Sequence, residues 1–488
     1  MLGSVQAPTV DRVRLRPRLS TVWVAAGVLV PVGALAVAPL GAIDLAYQLR
    51  LGAGILGGRG IPRVDTFTFT ARGVPWLDQQ WLAQLLLDLV FRLGGWLGLA
   101  LSRSALAGLV LALLYLACRA RGAEVRPAAW LTLGSGLVLL GGFQLRPQLF
   151  GLVCFAATLW LLADRRAHPR RIWLLLPIVA FWANLHGSFF LAPLLILLVL
   201  LEDLANREPE IRRLVLLGAA SIVASLANPF GLRVWSYVVE ISTDPRIRSS
   251  VVEWQPPTLG TYTGAAFFVS VAAVVVLIST GDERPSWTSL VWLGLFFLIG
   301  LASLRGVFWW ALAAPVTVAG ERTALGRAAA RHDPTGAANL AIILALAAAV
   351  TIATARWLPY GSANPPSELL SDAPLGLTSA LRAELGPGER VFNAQAWGSW
   401  LEYALPGHPV AADSRIELFP GSVWDAYDDV SSGREGWQEI LDRWHVRVLA
   451  LYAGQQGELI ARLQRDVGWI VSYHHGDAWV FVRGAPSP

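Results

Sequence analysis

The feature that most constrains this chain is a series of apolar runs, each long enough to cross a lipid bilayer. A spanning helix needs about 20 mainly apolar residues, with a range of about 17–25. Runs of this kind fall at residues 20–42, 96–118, 127–143, 148–164, 172–189, 189–204, 213–229, 262–280, 286–303, 306–320 and 336–356. The expectation is a polytopic α-helical membrane protein with about 11 transmembrane helices. Charge content agrees, since only 15% of the residues are charged, against about 25% in soluble domains. The first run resembles a signal peptide in one respect, the small-residue stretch Ala36-Val37-Ala38. Its length exceeds the usual apolar segment of about 7–15 residues and Pro39 follows directly, so the expectation is a retained anchor.

All the basic side chains are arginines, and their placement sets the topology. Arg12, Arg14, Arg16 and Arg18 precede the first run, which makes residues 1–19 a cytoplasmic tail by the positive-inside rule. Counting spans alternately puts Arg119/Arg121/Arg126, Arg165/Arg166/Arg170/Arg171, Arg207/Arg212/Arg213 and Arg322/Arg327/Arg331 on that same side. The basic excess is therefore topological and does not indicate a nucleic-acid partner. The same parity places loops 43–95 and 230–261, and everything after 357, outside. The expected location is the plasma (inner) membrane, multi-pass, with chemistry on the extracytoplasmic face, where the long loops lie.

The chain thus divides into the tail 1–19, a transmembrane domain 20–359 and an extracytoplasmic α/β domain 360–488. The last carries 9 Arg and 16 acidic residues, the reverse of the membrane part. Its expected strands are Arg390–Asn393, His408–Ala412 and Val446–Tyr452, with Trp469–Tyr473 and Trp479–Arg483 forming a hairpin across Gly476. Trp397–Ala404 and Glu458–Arg465 read as helices. Cys118 and Cys154 fall within spans, so neither a disulfide framework nor a thiolate metal site is expected. There is no internal repeat and no Gly-rich phosphate loop.

Just after the first span come Asp44-Leu-Ala-Tyr-Gln-Leu-Arg50, Gly60-Ile-Pro-Arg-Val-Asp65-Thr-Phe-Thr-Phe-Thr70 and Gly73-Val-Pro-Trp76-Leu-Asp78-Gln-Gln-Trp81-Leu82. An acid at a membrane boundary is costly unless solvated, paired or functional. From spacing alone, Asp44 is either a general base or the N-cap of a helix over Leu45–Leu56. These blocks resemble the pattern D-x-W-W-H-L-x-x-G-x-x-I … G-x-I-P-x-x-D-x-F-S-x-T … G-x-x-W-x-x-x-x-W-L of bacterial membrane proteins similar to GT-C glycosyltransferases. The matching positions are Asp44, Leu49, Gly52, Ile55, Ile61, Pro62, Asp65, Phe67, Thr70, Gly73, Trp76, Trp81 and Leu82. Gly60 sits one residue nearer to Ile61 than in the pattern, and Thr68 replaces its serine. Ala46, Tyr47 and Gln48 stand where it has two aromatics and a histidine, so no catalytic role for that histidine transfers.

Further blocks continue the resemblance: Arg146-Pro147-Gln148, Trp182-Ala-Asn184-Leu-His186-Gly187, Asn228-Pro229-Phe-Gly231, Val391-Phe-Asn393, Trp397-Gly398-Ser-Trp400-Leu401 and Asp413-Ser-Arg415-Ile-Glu417-Leu-Phe-Pro420. The resemblance implies a multi-span enzyme moving a sugar from a polyprenyl-phosphate donor to an envelope acceptor on the outer face, by an inverting displacement. Asp44 would be its base. Arg146 suits the donor phosphate through its planar fork, or else anchors a helix end at the headgroups. His186 would assist at the phosphate, or else link helices in the core, with Asn184 as partner. Asp65, Asp78 and Glu240 are possible acidic partners. Asp65 and Asp78 together with Asp44 would suit Mg²⁺ or Mn²⁺, although no spacing compels a metal. Trp397, Trp400, Asp413 and Arg415 are candidates for sugar or acceptor binding, their alternatives being core packing and a salt-bridge cluster. If Asp413–Glu417 is a strand, its charges share one face. Two other functions compete: a lipid or solute transporter or flippase, and a non-catalytic envelope assembly protein. The former predicts inverted repeats, which the sequence lacks.

Overall fold

In the computed structural model, which describes residues 16–281, 284–321, 333–361, 365 and 367–484, all the predicted spans are helical. Arg12 and Arg14, and the loop arginines Arg322, Arg327 and Arg331, lie outside the described residues. The helices of the membrane part are α1 Leu19–Val37, α2 Ala42–Gly54, α3 Trp81–Ala120, α4 Val125–Val138, α5 Pro147–Ala163, α6 Leu175–Leu185 and α7 Leu191–Ala205. They continue as α8 Ile211–Ser225, α9 Arg233–Thr243, α10 Pro245–Ser250, α11 Tyr262–Ser279, α12 Trp287–Ala302, α13 Leu304–Ala319 and α14 Ala337–Ala355. Among the described residues, six helical stretches are long and apolar enough to cross a membrane: those of α1, α3, α5, α7, α11 and α14. Three more apolar helical stretches, those of α6, α12 and α13, are shorter.

Helix α3 begins well before the predicted span at 96. It runs as an arm from Trp81, bends at Gly95 (φ 56°) and only then enters the bundle. At the far end of α5, Arg165 grips Asp203 of α7 with two hydrogen bonds, and Arg121 at the end of α3 pairs with Glu202 at 2.7 Å. Three loops read from the sequence as one-sided thus meet in one charge network at one end of the bundle.

The opposite end carries the soluble domain. Its four-stranded sheet has the order β3-β4-β6-β5, where β3 is Val391–Asn393, β4 Val448–Tyr452, β5 Trp469–His475 and β6 Ala478–Arg483. β3 pairs parallel to β4, and the other pairings are antiparallel. Helices α15 Leu375–Glu384, α16 Gln395–Ala404, α17 Gly421–Ser431, α18 Trp437–Arg443 and α19 Ala453–Leu463 flank it. The hairpin at Gly476 is present, with the glycine left-handed at φ 55°. His408–Ala412 is not a strand: only Val410 makes isolated bridges, one to Val391 and one to Thr68 of the first long loop.

That bridge is one of several ties between loop 43–95 and the soluble domain. A short pair, β1 Leu40–Gly41 with β2 Leu370–Ser371, runs parallel where the first span ends and the soluble domain begins. Helix α2 lies against α16. It also lies against the arm of α3, where Gly52 permits contact: a Cβ there would stand 2.2 Å from the Gln84 carbonyl oxygen.

Candidate active site

Between the helix bundle, the two long loops and the soluble domain lies a cavity of about 530 Å³. Asp44, Arg146, His186, Glu253 and Arg305 all line it. Local rules aim these side chains. Pro147 occupies the first turn of α5, where its missing N–H costs nothing, and it forces the preceding residue to be extended. Arg146 is accordingly extended (φ −150°, ψ 170°) and leaves the helix axis. Arg305 sits at the tip of the α12–α13 hairpin, capped by Ser303, whose Oγ accepts from Gly306 N at 3.1 Å. Gly306 makes so tight a hairpin possible, since a Cβ would lie 1.8 Å from the Ile299 carbonyl oxygen.

Asp44 is not an N-cap. The helix starts two residues earlier, at Ala42 with Gly41 as the cap, so Asp44 lies within the first turn. Its Oδ2 accepts from Arg146 Nη1 at 2.9 Å. Arg146 also pairs with Glu253, and Glu253 pairs with Arg305 at 2.8 Å. The result is a row of alternating charge, Asp44–Arg146–Glu253–Arg305, drawn from four separate segments. The two arginines hold the Glu253 carboxyl well below the usual range, at about 2, despite its burial. Arg305 was missed by sequence reasoning, yet a signal existed. Among the short connections assigned to the outer side, arginine occurs only as Arg146 and Arg305, both against the positive-inside pattern.

His186 also faces the cavity, with Ser188 rather than Asn184 as its partner. Trp182 Nε1 donates to Ser188 Oγ at 3.1 Å, and both the hydroxyl and the backbone N–H of Ser188 contact His186 Nδ1. An Nδ1 that accepts from a backbone N–H leaves the proton on Nε2, so the ring is a donor through Nε2. Asn184 instead accepts from Trp81 Nε1 at 2.8 Å and donates to Ala180 and Ala227 carbonyls, fastening the α3 arm to the bundle.

The other acids do not join Asp44. Asp65 is buried, accepts from Thr68 and meets Arg415 at 2.8 Å. Asp78 is buried beside Gln84, and burial raises its carboxyl to about 7. Glu240 is exposed on α9 and does not line the cavity. Each of the three aspartates is held by a different partner, so the shared metal site is not formed. No group of three or more His, Cys, Asp or Glu able to hold a metal occurs among the described residues.

The soluble-domain candidates also require correction. Trp400 is fully buried, donating to Thr378 Oγ1 at 3.0 Å, and Trp397 is 9% exposed against Tyr452. Both are core residues with no face to offer a sugar. Asp413–Glu417 is a loop leading into a single helical turn, so the alternating charges do not share a strand face. Arg415 is enclosed by Asp413, Asp65 and Glu402, with the Trp76 ring 4.8 Å from its guanidinium. It reaches the cavity wall but is committed to these carboxylates, while Asp413 is fully buried. Burial, with Asp413 adjacent, raises the Glu402 carboxyl well above its ordinary range. Glu417 does line the cavity, accepts from Tyr237 Oη at 3.4 Å and has its carboxyl raised by enclosure.

No protein-family model matches the chain, and no curated protein sequence matches it. Solved structures do. The oligosaccharyltransferase of Archaeoglobus fulgidus in its apo form is similar at 13% identity and a TM-score of 0.54, covering 94% of this chain and 74% of that one. ArnT from Cupriavidus metallidurans bound to undecaprenyl phosphate is similar at 14% identity and a TM-score of 0.53, covering 96% and 98%. The apo state of that ArnT gives 12% and 0.52, covering 95% and 98%. These likenesses run over nearly the whole chain and establish a GT-C-like membrane fold.

Proposed function

We propose that this protein is a membrane glycosyltransferase that moves a sugar from a polyprenyl-phosphate donor to an envelope acceptor on the extracytoplasmic face. The observation that carries the reading is the alternating row Asp44–Arg146–Glu253–Arg305 on the wall of one cavity at the end of an apolar helix bundle. The similar ArnT structure, with undecaprenyl phosphate bound, supports the same ligand class here.

The reaction is a single displacement. An acceptor hydroxyl oxygen attacks the anomeric carbon while Asp44 takes its proton. The bond from that carbon to the phosphate oxygen breaks, its electron pair stays on the phosphate, and configuration inverts. Phosphate is a weakly basic leaving group, so charge stabilisation counts for more than protonation. Arg146 and Arg305 supply it, and His186 adds a neutral N–H. Glu253, between the arginines, keeps both guanidinium groups oriented before the donor arrives.

Asp44→Asn is the test. The amide preserves shape, and Arg146 keeps Glu253 as a partner, so thermal unfolding of the purified protein should move little. Transfer from a pool of polyprenyl-phosphate sugars should fall by about 10²–10⁴-fold, the usual contribution of a general base. Full transfer by a folded Asp44→Asn protein would remove Asp44 from this role and turn attention to Glu417 and Asp372, the other carboxylates on the cavity wall outside the charge row.

A further inference from the structure

Within the cavity, three amide side chains flank the Asp44–Arg146 pair and leave hydrogen-bonding atoms unused. Gln48 lies one turn beyond Asp44 on α2, and Gln144 and Gln148 bracket Arg146. Gln48 Oε1, Gln144 Oε1 and Gln148 Nε2 are buried and have no partner. Gln48 spends only its Nε2, on Tyr47 Oη at 2.7 Å and Gln80 Oε1 at 3.3 Å. Gln48 and Gln148 are 1% and 5% exposed. Buried polar atoms are nearly always satisfied, because leaving one unmade costs its desolvation. Three orphans among the residues that line the cavity, two acceptors and one donor, match a ligand that both donates and accepts there.

We propose that Gln48, Gln144 and Gln148, with Asp372 at their edge, form the subsite for the transferred glycosyl group, and that this group is a hydroxyl-rich sugar without a carboxylate. The inference rests on the donor reading above and specifies its sugar class. Hydroxyls are the groups that use amide acceptors and donors together. Gln48 occupies the place where the resembling pattern has histidine, so an amide that never ionises replaces a ring that can. The row of four charges beside the subsite is balanced two against two, leaving no surplus cation for a uronate. Arg415 is spent on Asp65, Asp413 and Glu402. Asp372 lines the cavity with φ at 63°, a left-handed conformation that an aspartate tolerates at a cost. It follows Ser371, whose backbone pairs with Gly41 beside Gln144, and presents a further acceptor for hydroxyls.

The test measures binding of four lipids to the full-length protein in nanodiscs: polyprenyl phosphate alone, and the same lipid carrying a neutral hexose, an amino sugar or a uronate. The neutral hexose and the amino sugar should each bind at least tenfold tighter than the bare lipid phosphate, and both tighter than the uronate. Gln148→Met and Gln48→Met should each remove about three- to tenfold of that gain, the worth of one lost hydrogen bond, with bare polyprenyl phosphate unaffected. Gln148→Met should also unfold no earlier than the parent, since it deletes an unsatisfied buried group. If both variants fold poorly, the four-lipid ranking on the parent protein still decides the sugar class. A preference for the uronate, or equal losses for bare and glycosylated lipid, would overturn this subsite while leaving the donor reading intact. Failure of the parent protein to bind any of the four would overturn both.

Discussion

At the scale of single residues, the contrast between Asp44 and Asp78 shows how the environment sorts carboxylates of one loop. Asp44 stands at the cavity wall with an arginine at 2.9 Å. Asp78 is enclosed, one oxygen on Gln84 and the other without a partner, and its carboxyl is raised from 3.8 to about 7. Between about pH 4 and pH 7 the folded protein therefore holds a proton that the unfolded chain has released, and folding stability falls as pH rises through that window. Asp78→Asn imitates the protonated form. Its unfolding free energy should decline less steeply than the parent's over that window and exceed the parent's at pH 8, by on the order of 4 kcal/mol at most. A value that declines with pH as steeply as the parent's would show that Asp78 is ionised when folded. Asp44 was legible from its place after the first span. The state of Asp78 was not, because burial depends on the α3 arm folding back over it, and nothing local to residue 78 records that.

At the scale of elements, the membrane helices were the legible part, since lipid imposes length and apolarity on each span separately. What sequence could not supply is how segments far apart meet. Glu253 finds Arg146 more than a hundred positions away and Arg305 about fifty away, and such pairings leave no periodic trace. The strand reading of Asp413–Glu417 failed for a related reason: alternation of polar and apolar residues also arises in a loop that wraps a buried charge. The aromatic residues left core packing and sugar binding both open, because a tryptophan reads the same in a core as on a sugar platform. Where two helices touch, the sequence is more explicit. Gly52 → Ala places a methyl group against the Gln84 carbonyl oxygen and the Asp88 Cβ, at 2.2 and 2.7 Å. Both are backbone or near-backbone positions that cannot swing away, so α2 must shift from the α3 arm and carry Asp44 with it. The expected outcome is a lower unfolding temperature, with transfer reduced by more than that loss explains. Undiminished transfer in Gly52→Ala would mean that α2 tolerates displacement and that the Asp44–Arg146 spacing is not set by this contact.

At the scale of the whole molecule, the soluble domain is fastened to the membrane part by a buried ion cluster. Arg415 and Asp65, 350 positions apart, are 2% and 1% exposed, with Asp413 and Glu402 completing the group. Removing one partner of a buried pair typically costs about 3–5 kcal/mol, because the charge left behind is unpaired. Arg415→Met should therefore destabilise the protein by about that amount and speed proteolysis between residues 43 and 95, and the double change Asp65→Asn with Arg415→Met should recover part of the loss. Equal losses in the single and double variants would show that the pair is not coupled. The short pairing of Leu40–Gly41 with Leu370–Ser371 carries a different consequence, one of timing. The strand that leads into Asp44 is made early, and its partner emerges about 330 residues later. At roughly 5–20 residues per second, the ribosome needs roughly 15–65 s to deliver it. Throughout that interval the segment bearing Asp44 waits with its edge unpaired, so this part of the cavity wall is synthesised early and is among the last to be completed.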